Sequence, residues 1–406
     1  MEIWRQSVMI WTGALTAAGF GLAVQIVLAH HYDSATFGSL ANGYSLAILI
    51  ATFAFHGVGE VVLRKNTPVG ASACLRAAAL FLAVGLITGT AWTMWSREMD
   101  VDPLVLAAFV PFVIIQSGIT SGMIAFQLDG RNTAIAVWPG GFQAVRLGVV
   151  IVVVLMGAAA FWVPLGWFLA LIPLAWFGFA RIRITGRWSS DRSNDSSLHI
   201  VRTAFPFSGA RLLEFAELQL PIVMAMPLLG AVETGRVAAC LAIVQGLLLL
   251  PISLFQRLFR ARFHDWAETD PARLRRFGFL GGGAMLIAGL ALGQAVRPLS
   301  ANLLSMLFGD DFAAASVLLE SLVMIVPIWF ASIAVNSTLV SVRMSDLRFG
   351  CQIVGILIFV GVVLLIGEDG SSPTSGLLQG IFVSQSFLLV SGVVLLWRTR
   401  STPSRP

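Results

Sequence analysis

Twelve apolar segments, separated by short connections, run the length of this 406-residue chain. About 20 consecutive apolar residues are enough for one helix to cross the hydrocarbon core of a bilayer. With 57% hydrophobic and 12% charged residues, the chain leaves little sequence for a water-soluble domain. The pattern predicts an all-α polytopic membrane protein with about twelve transmembrane helices. The segments cover residues 7–30, 38–63, 72–95, 104–127, 133–157, 160–180, 203–228, 233–256, 277–297, 312–341, 346–367 and 375–397.

The distribution of basic residues predicts how these helices are oriented. If the N-terminus is cytoplasmic, twenty of the 26 Lys and Arg residues fall on the inner side and three on the outer side. Lys and Arg are retained on the cytoplasmic side of membrane proteins. Both termini are therefore expected in the cytoplasm. The same bias explains the pI of about 9.8, so a nucleic-acid partner is not expected.

The two longest inner connections differ in composition. Residues 181–202 are rich in serine and arginine and are typical of a flexible linker. Residues 257–276 carry Phe259, Phe263 and Trp266 between arginines. This pattern predicts a basic amphipathic helix lying on the inner leaflet.

The two halves of the chain show a weak internal repeat. Pro111 in the fourth segment and Pro327 in the tenth are each followed by polar residues and then by an inner turn with a basic residue. Because six segments separate the equivalent positions, both halves have the same orientation, as in transporters built from parallel repeats. We predict two pseudo-symmetric six-helix lobes around a central cavity: residues 1–180, a cytoplasmic linker at 181–202, and residues 203–406.

Several arginines lie within the predicted spans or close to their inner ends. A charged side chain at bilayer depth is costly and normally faces an interior cavity. Arg146 and Arg211, with Arg64 and Arg76 nearer the inner surface, are the candidates for binding an anionic headgroup, because guanidinium groups bind phosphate bidentately. The alternative is that they are structural, with Arg211 paired to Glu214 and Arg64 to Glu60. For Arg146 the spacing indicates no partner on its own helix.

Titratable residues in the second and seventh segments suggest ion coupling. His56 and Glu60 are four residues apart on one helical face, and Glu214 and Glu217 follow Arg211 at three-residue intervals. These four groups could couple transport to protons or cations. A buried carboxylate beside an arginine can instead be a fixed counter-ion.

Short sequence patterns resemble a known transporter superfamily. Residues 34–38 (SATFG) precede the second segment, which contains Gly57 and ends at Arg64, while Pro206 and Phe207 open the seventh segment. Residues 229–235 and 307–309 (LFG) add similar turns. Together they resemble the multidrug/oligosaccharidyl-lipid/polysaccharide (MOP) exporter superfamily, and within it the O-antigen type of polysaccharide flippase.

The resemblance implies a two-lobed bundle with a cationic cavity that accepts an undecaprenyl-diphosphate-linked oligosaccharide. It places the anion-binding role on Arg146 and Arg211, with Arg64 as a further contact. The expected location is the bacterial cytoplasmic membrane, in lipopolysaccharide or other surface polysaccharide biosynthesis. The expected partners are the lipid-linked substrate, membrane lipid, polysaccharide polymerase and glycosyltransferases, and the protein is expected to be a monomer.

Two other functions remain open on the sequence. One is a cation-coupled drug or metabolite antiporter of the same superfamily. The other is a membrane-embedded glycosyltransferase or ligase, although the outer connections are too short to hold a typical catalytic domain. The chain lacks the G-x-x-x-x-G-K-[ST] nucleotide-binding loop, and Cys74, Cys240 and Cys351 lie within apolar segments. A transporter without covalent chemistry, cofactor or metal is therefore expected.

Overall fold

The computed structural model describes residues 2–64, 69–96, 103–184, 188–189, 197–339, 345–368 and 373–398. Within these ranges the chain forms thirteen α-helices, with short 3-10 and π-helical turns between some of them. The helices are α1 (Glu2–His31), α2 (Ser34–Arg64), α3 (Ala71–Ser96), α4 (Pro103–Leu128), α5 (Asn132–Leu155), α6 (Trp162–Ile184), α7 (Ser197–Pro251), α8 (Arg260–Thr269), α9 (Pro271–Val296), α10 (Ser300–Phe308), α11 (Ser316–Leu339), α12 (Ser345–Glu368) and α13 (Pro373–Arg398).

The predicted all-α membrane architecture is confirmed. Ten helical segments among the described residues are long and apolar enough to cross a bilayer, and α3 adds a shorter apolar stretch, Arg76–Trp92. One of the ten, Ser197–Gln256, covers both the seventh and the eighth predicted spans. It is interrupted at Gly230, whose φ of 81° is readily adopted only by glycine. Counting the two parts of this segment separately, the described helices account for the twelve predicted spans.

Inter-residue contacts divide the chain into two compact units, Met1–Ala238 and Ala239–Pro406. The part of α7 before Gly230 therefore packs with the N-terminal unit, although the sequence repeat assigns it to the second half. The predicted lobes, residues 1–180 and 203–406, are defined by the sequence repeat and not by contacts. They stay a prediction.

The predicted linker at 181–202 contains local structure. Trp188–Ser189 (β2) forms a two-residue parallel pair with Val69–Gly70 (β1). In addition, α7 already begins at Ser197. Because α6 extends to Ile184, both ends of the predicted linker are helical.

In the N-terminal unit, α4 is the central helix and packs against α2 and α6, while α1 packs against α5. The contact between α4 and α6 depends on glycines. A Cβ added at Gly178 of α6 would lie only 2.1 Å from the Gly118 carbonyl oxygen, and Gly122 lies one turn further along α4. Between helices in a membrane, such small residues allow the backbones to approach closely and to gain van der Waals contact.

We expect Gly178→Ala to destabilise the protein by about 1–3 kcal/mol, because the added methyl group would meet backbone atoms that cannot move independently. Gly148→Ala on α5 is the matched control, since a Cβ there meets nothing within 4 Å. The control is expected to be neutral or slightly stabilising, as alanine favours helix over glycine. Thermal unfolding of the detergent-solubilised variants measures the difference, and equal melting temperatures would contradict this account of the α4–α6 contact.

In the C-terminal unit, α11 is the central helix and packs against α9 and α13. Pro327 lies inside α11 as Pro111 lies inside α4. Each of these helices also packs against the last helix of its half, α13 or α6. The hydroxyl of Ser121 donates to a carbonyl of its own helix, Ser117 O, and that of Ser337 donates to Ile333 O. The hydroxyl groups of these two serines are therefore hydrogen-bonded within their own helices.

The amphipathic helix predicted at 257–276 is present as α8, but its apolar face lies against protein. Phe263 and Trp266 are buried in a cluster with Phe255, Leu274 and Ala334. Ring contacts with neighbouring aromatic residues surround these side chains. The aromatic face of α8 is thus covered by the C-terminal unit itself, so it is not available for lipid.

Candidate functional site

The helices α2 and α7 approach each other closely at two separated points within the N-terminal unit. A Cβ added at Gly38 would lie 2.0 Å from the Ala231 carbonyl oxygen, and one added at Gly57 would lie 2.2 Å from Ser208 Oγ. Neither position has room for a larger residue. The two contacts are 19 residues apart on α2, so the helices remain in contact along most of the span.

Polar side chains lie between these two contacts. Asn42 Nδ2 donates to the carbonyl oxygens of Ile222 and Val223 at 3.3 Å, and Ser45 Oγ donates to Gln219 Oε1 at 2.8 Å. Buried polar groups are stabilised only when they are hydrogen-bonded. These bonds therefore set the register of α2 against α7. Asn42, Ser45 and Gln219 could not be predicted from the sequence, because nothing local shows which face of α2 meets α7.

Three of the predicted site residues come together at this α2–α7 interface. Arg211 Nη1 lies 2.6 Å from Glu214 Oε2, and the Arg211 guanidinium carbon lies 4.9 Å from the centre of the Phe215 ring. His56 immediately precedes Gly57, which contacts Ser208 of α7, and its imidazole interacts electrostatically with Arg211 and Glu214. The side chains of Arg211 and Glu214 are 39% and 30% exposed. This charged group is thus accessible at the surface of the unit.

The remaining predicted residues near α2 and α7 occupy less central positions. Glu60 and Glu217 are half-buried, and each has an interaction partner. Arg76 is exposed near the start of α3, where its Nε donates to Ser197 Oγ at 2.8 Å. Arg64 is the last residue of α2, and its side chain lies outside the described residues.

Arg146 lies in a different environment. Its residue exposure is 3%, and its guanidinium carbon lies 4.2 Å from the centre of the Tyr44 ring and 4.0 Å from that of the Trp167 ring. Nη1 donates to Tyr44 Oη at 2.9 Å and to Gln143 Oε1 at 2.8 Å. The expectation that Arg146 has no partner on its own helix was wrong, because Gln143 lies one turn earlier on α5.

The aromatic rings around Arg146 explain how a buried guanidinium is tolerated. A desolvated cation over an aromatic face gains about 2 kcal/mol or more, and here two rings lie close to the same group. Trp167 also donates its Nε1 proton to the Arg146 carbonyl oxygen at 3.1 Å. This cluster joins α2, α5 and α6. The Arg146 guanidinium lies in the interior of the N-terminal unit, and a substrate cannot reach it in this structure.

Similarity to known proteins is detected through structure alone. No family model matches the sequence, and no curated protein is detectably similar to it. The lipid II flippase MurJ in an inward closed conformation superposes with a TM-score of 0.70 at 13% identity, over 97% of this chain and 88% of that one.

Two MATE transporters are also similar. The eukaryotic MATE transporter AtDTX14 has a TM-score of 0.64 at 14% identity, over 98% of this chain and 96% of that one. A variant of the Vibrio cholerae MATE transporter VcmN has a TM-score of 0.59 at 11% identity, over 98% and 96% of the two chains. At such low identity the similarity concerns the fold. The chain therefore has the fold shared by the MATE transporters and the lipid II flippase MurJ.

Proposed function

We propose that this protein is a flippase that moves a lipid-linked oligosaccharide diphosphate across the bacterial cytoplasmic membrane for surface polysaccharide biosynthesis. The shared fold supports a transporter of this general kind, and the O-antigen type of substrate rests on the sequence resemblance. In this proposal the protein catalyses no covalent reaction. The energy comes from an ion gradient or from consumption of the product on the outer side.

The observation that carries the proposal is the position of Arg211. Its guanidinium is permanently charged, partly exposed and held at the α2–α7 interface by one carboxylate, Glu214. A diphosphate offers the same bidentate acceptor geometry as a carboxylate and carries more negative charge. In this proposal Glu214 neutralises Arg211 while no substrate is bound. The diphosphate then takes the place of Glu214 when the substrate binds.

The other predicted residues receive distinct roles in the proposal. Arg64 and Arg76 at the inner ends of their helices provide first contacts for the anionic headgroup. Arg146 is enclosed by aromatic rings, so its role in transport is to hold α2 in place for the site at Arg211.

A second candidate function, cation-coupled antiport, is supported by the titratable groups beside Arg211. His56 and Glu214 interact with the same guanidinium, and Glu60 and Glu217 lie on the same two helices. Protonation of Glu214 would break its ion pair with Arg211, which would couple the state of this charged group to a proton gradient. A purified antiporter would take up a cationic dye in response to a pH gradient, whereas the flippase proposed here would not.

The proposal is tested by deleting the gene and locating the lipid-linked oligosaccharide. We expect it to accumulate on the cytoplasmic face, detected as sugar that is accessible to an impermeant reagent in inside-out vesicles and inaccessible in right-side-out ones. Expression of the wild-type protein should restore the outer-face signal. Normal outer-face signal and normal surface polysaccharide in the deletion strain would refute the flippase function.

A further inference from the structure

A groove with a volume of about 210 Å³ lies among α2, α3 and α4 of the N-terminal unit. Its floor is formed by buried residues of α2 and α4, including Gly43, Ala47, Ile50 and Phe109. The small side chains at positions 43 and 47 leave the space that larger residues would fill. The groove is thus built into the helix packing.

The groove opens between α3 and α4. Thr90, Pro103, Ala107 and Val110 line it and are exposed. Thr90 is the polar side chain of the lining, and its hydroxyl donates to the Leu86 carbonyl oxygen at 2.7 Å. A water molecule needs two to four polar partners to be stable in a cavity. The hydroxyl of Thr90 can still accept a hydrogen bond, but one such group is fewer than the two to four partners that water needs, so water is a poor occupant.

The helices beside the opening expose large apolar side chains, Val84 and Ile87 on α3 and Val110 and Ile114 on α4. The helices α2 and α4 lie within apolar segments long enough to span a membrane, Ser34–Val61 and Pro103–Leu128. We infer that this groove binds one acyl chain of a bilayer phospholipid. Between lipid and protein there is no hydrophobic driving force. The favourable free energy of binding comes from van der Waals contacts that the lining atoms would otherwise lack.

The occupant is assigned to bilayer phospholipid because the groove and the Arg211 site lie on different faces of α2. Ser45 of α2 contacts α7, whereas Gly43 and Ala47, two residues before and after it, line the groove. Residues two apart on a helix point about 200° apart. A tail attached to a headgroup at Arg211 would have to pass around α2 to reach the groove. This inference is therefore independent of the proposed function.

Ala107→Trp provides the test, because the indole would fill the opening from an exposed position on α4. Ala79→Trp is the matched control, since Ala79 is an exposed alanine of α3 outside the lining. Each protein is purified in detergent and incubated in mixed micelles of detergent, phosphatidylethanolamine and phosphatidylglycerol. Bound lipid is then counted by native mass spectrometry. We expect wild type and Ala79→Trp to retain one phospholipid more than Ala107→Trp.

Equal retention by the three proteins would overturn the inference and leave non-specific annular lipid as the explanation. Retention of a prenyl-linked lipid in place of phospholipid would overturn the assignment of the occupant. If Ala107→Trp does not fold, wild-type protein is labelled with a phospholipid that carries a photoreactive group in its acyl chain. Crosslinks concentrated on residues 43–50 and 103–113 support the groove, and crosslinks spread evenly over the lipid-facing helices refute it.

Discussion

Arg211→Ala is expected to abolish transport of the lipid-linked substrate while the protein still folds and inserts. Hydrogen bonds to charged groups contribute about 1.5–3 kcal/mol, and 1.4 kcal/mol is a tenfold change in affinity. Loss of the guanidinium also leaves Glu214 to repel the diphosphate. Outer-face appearance of the lipid-linked oligosaccharide in the complemented deletion strain measures the effect. Arg211→Lys should restore part of the activity, because lysine keeps the charge but loses the bidentate contact.

Arg236→Ala is the matched control for this experiment. Arg236 also lies on α7, pairs with a glutamate three residues away, Glu233, and has a similar exposure of 27%. It lies beyond Gly230, away from His56 and Glu214. We expect Arg236→Ala to transport normally. Normal transport by Arg211→Ala, or an equal defect in both variants, would show that Arg211 has no specific role in binding the anion.

Arg146→Ala is expected to impair folding, with a loss of about 2–4 kcal/mol in the free energy of unfolding. The substitution removes cation–π contacts with Tyr44 and Trp167 and leaves a cavity in a packed interior. Expression level and thermal unfolding in detergent measure the loss. Arg146→Lys should recover only part of it, since an ammonium lacks the planar guanidinium surface that packs on aromatic rings and keeps fewer hydrogen-bond donors.

Arg273→Ala is the control for Arg146→Ala, since Arg273 is exposed and lies over a single ring, that of Trp266, at 4.6 Å. It is expected to lose less than about 1 kcal/mol. If Arg146→Ala melts like wild type yet does not transport, the direct anion-binding role predicted from the sequence is correct and the positioning role proposed here is wrong.

The helix α2 connects the surroundings of Arg146 with the α2–α7 interface at Arg211. Tyr44 of this helix contacts Arg146 in the interior of the unit, and the next residue, Ser45, contacts Gln219 of α7. One turn of α2 is thus attached on one side to the core of α5 and α6 and on the other to the helix that carries Arg211. A change in the packing around Arg146 would be transmitted to the interface at which the substrate is proposed to bind.

The pairing of Arg211 with Glu214 could be anticipated from the sequence, because residues three apart on a helix are neighbours whatever surrounds them. Gln143 and Arg146 have the same three-residue spacing, but an uncharged glutamine gives no signal for an ion pair in the sequence. By contrast, no spacing rule brings His56 next to Arg211, since the two lie on different helices more than 150 residues apart.

Hydrophobic length and charge bias determined the membrane-spanning helices, their number and their predicted orientation. These properties depend on the preference of each segment for lipid or water, and the residues of the segment alone set that preference. Tertiary structure alone decided which arginine is enclosed and which is accessible, and that α8 packs against protein. Those outcomes depend on how each helix is rotated about its axis and on close contacts such as Gly38 with Ala231. The physical reason is that an almost uniformly apolar helix carries no local signal for the face that meets its neighbours.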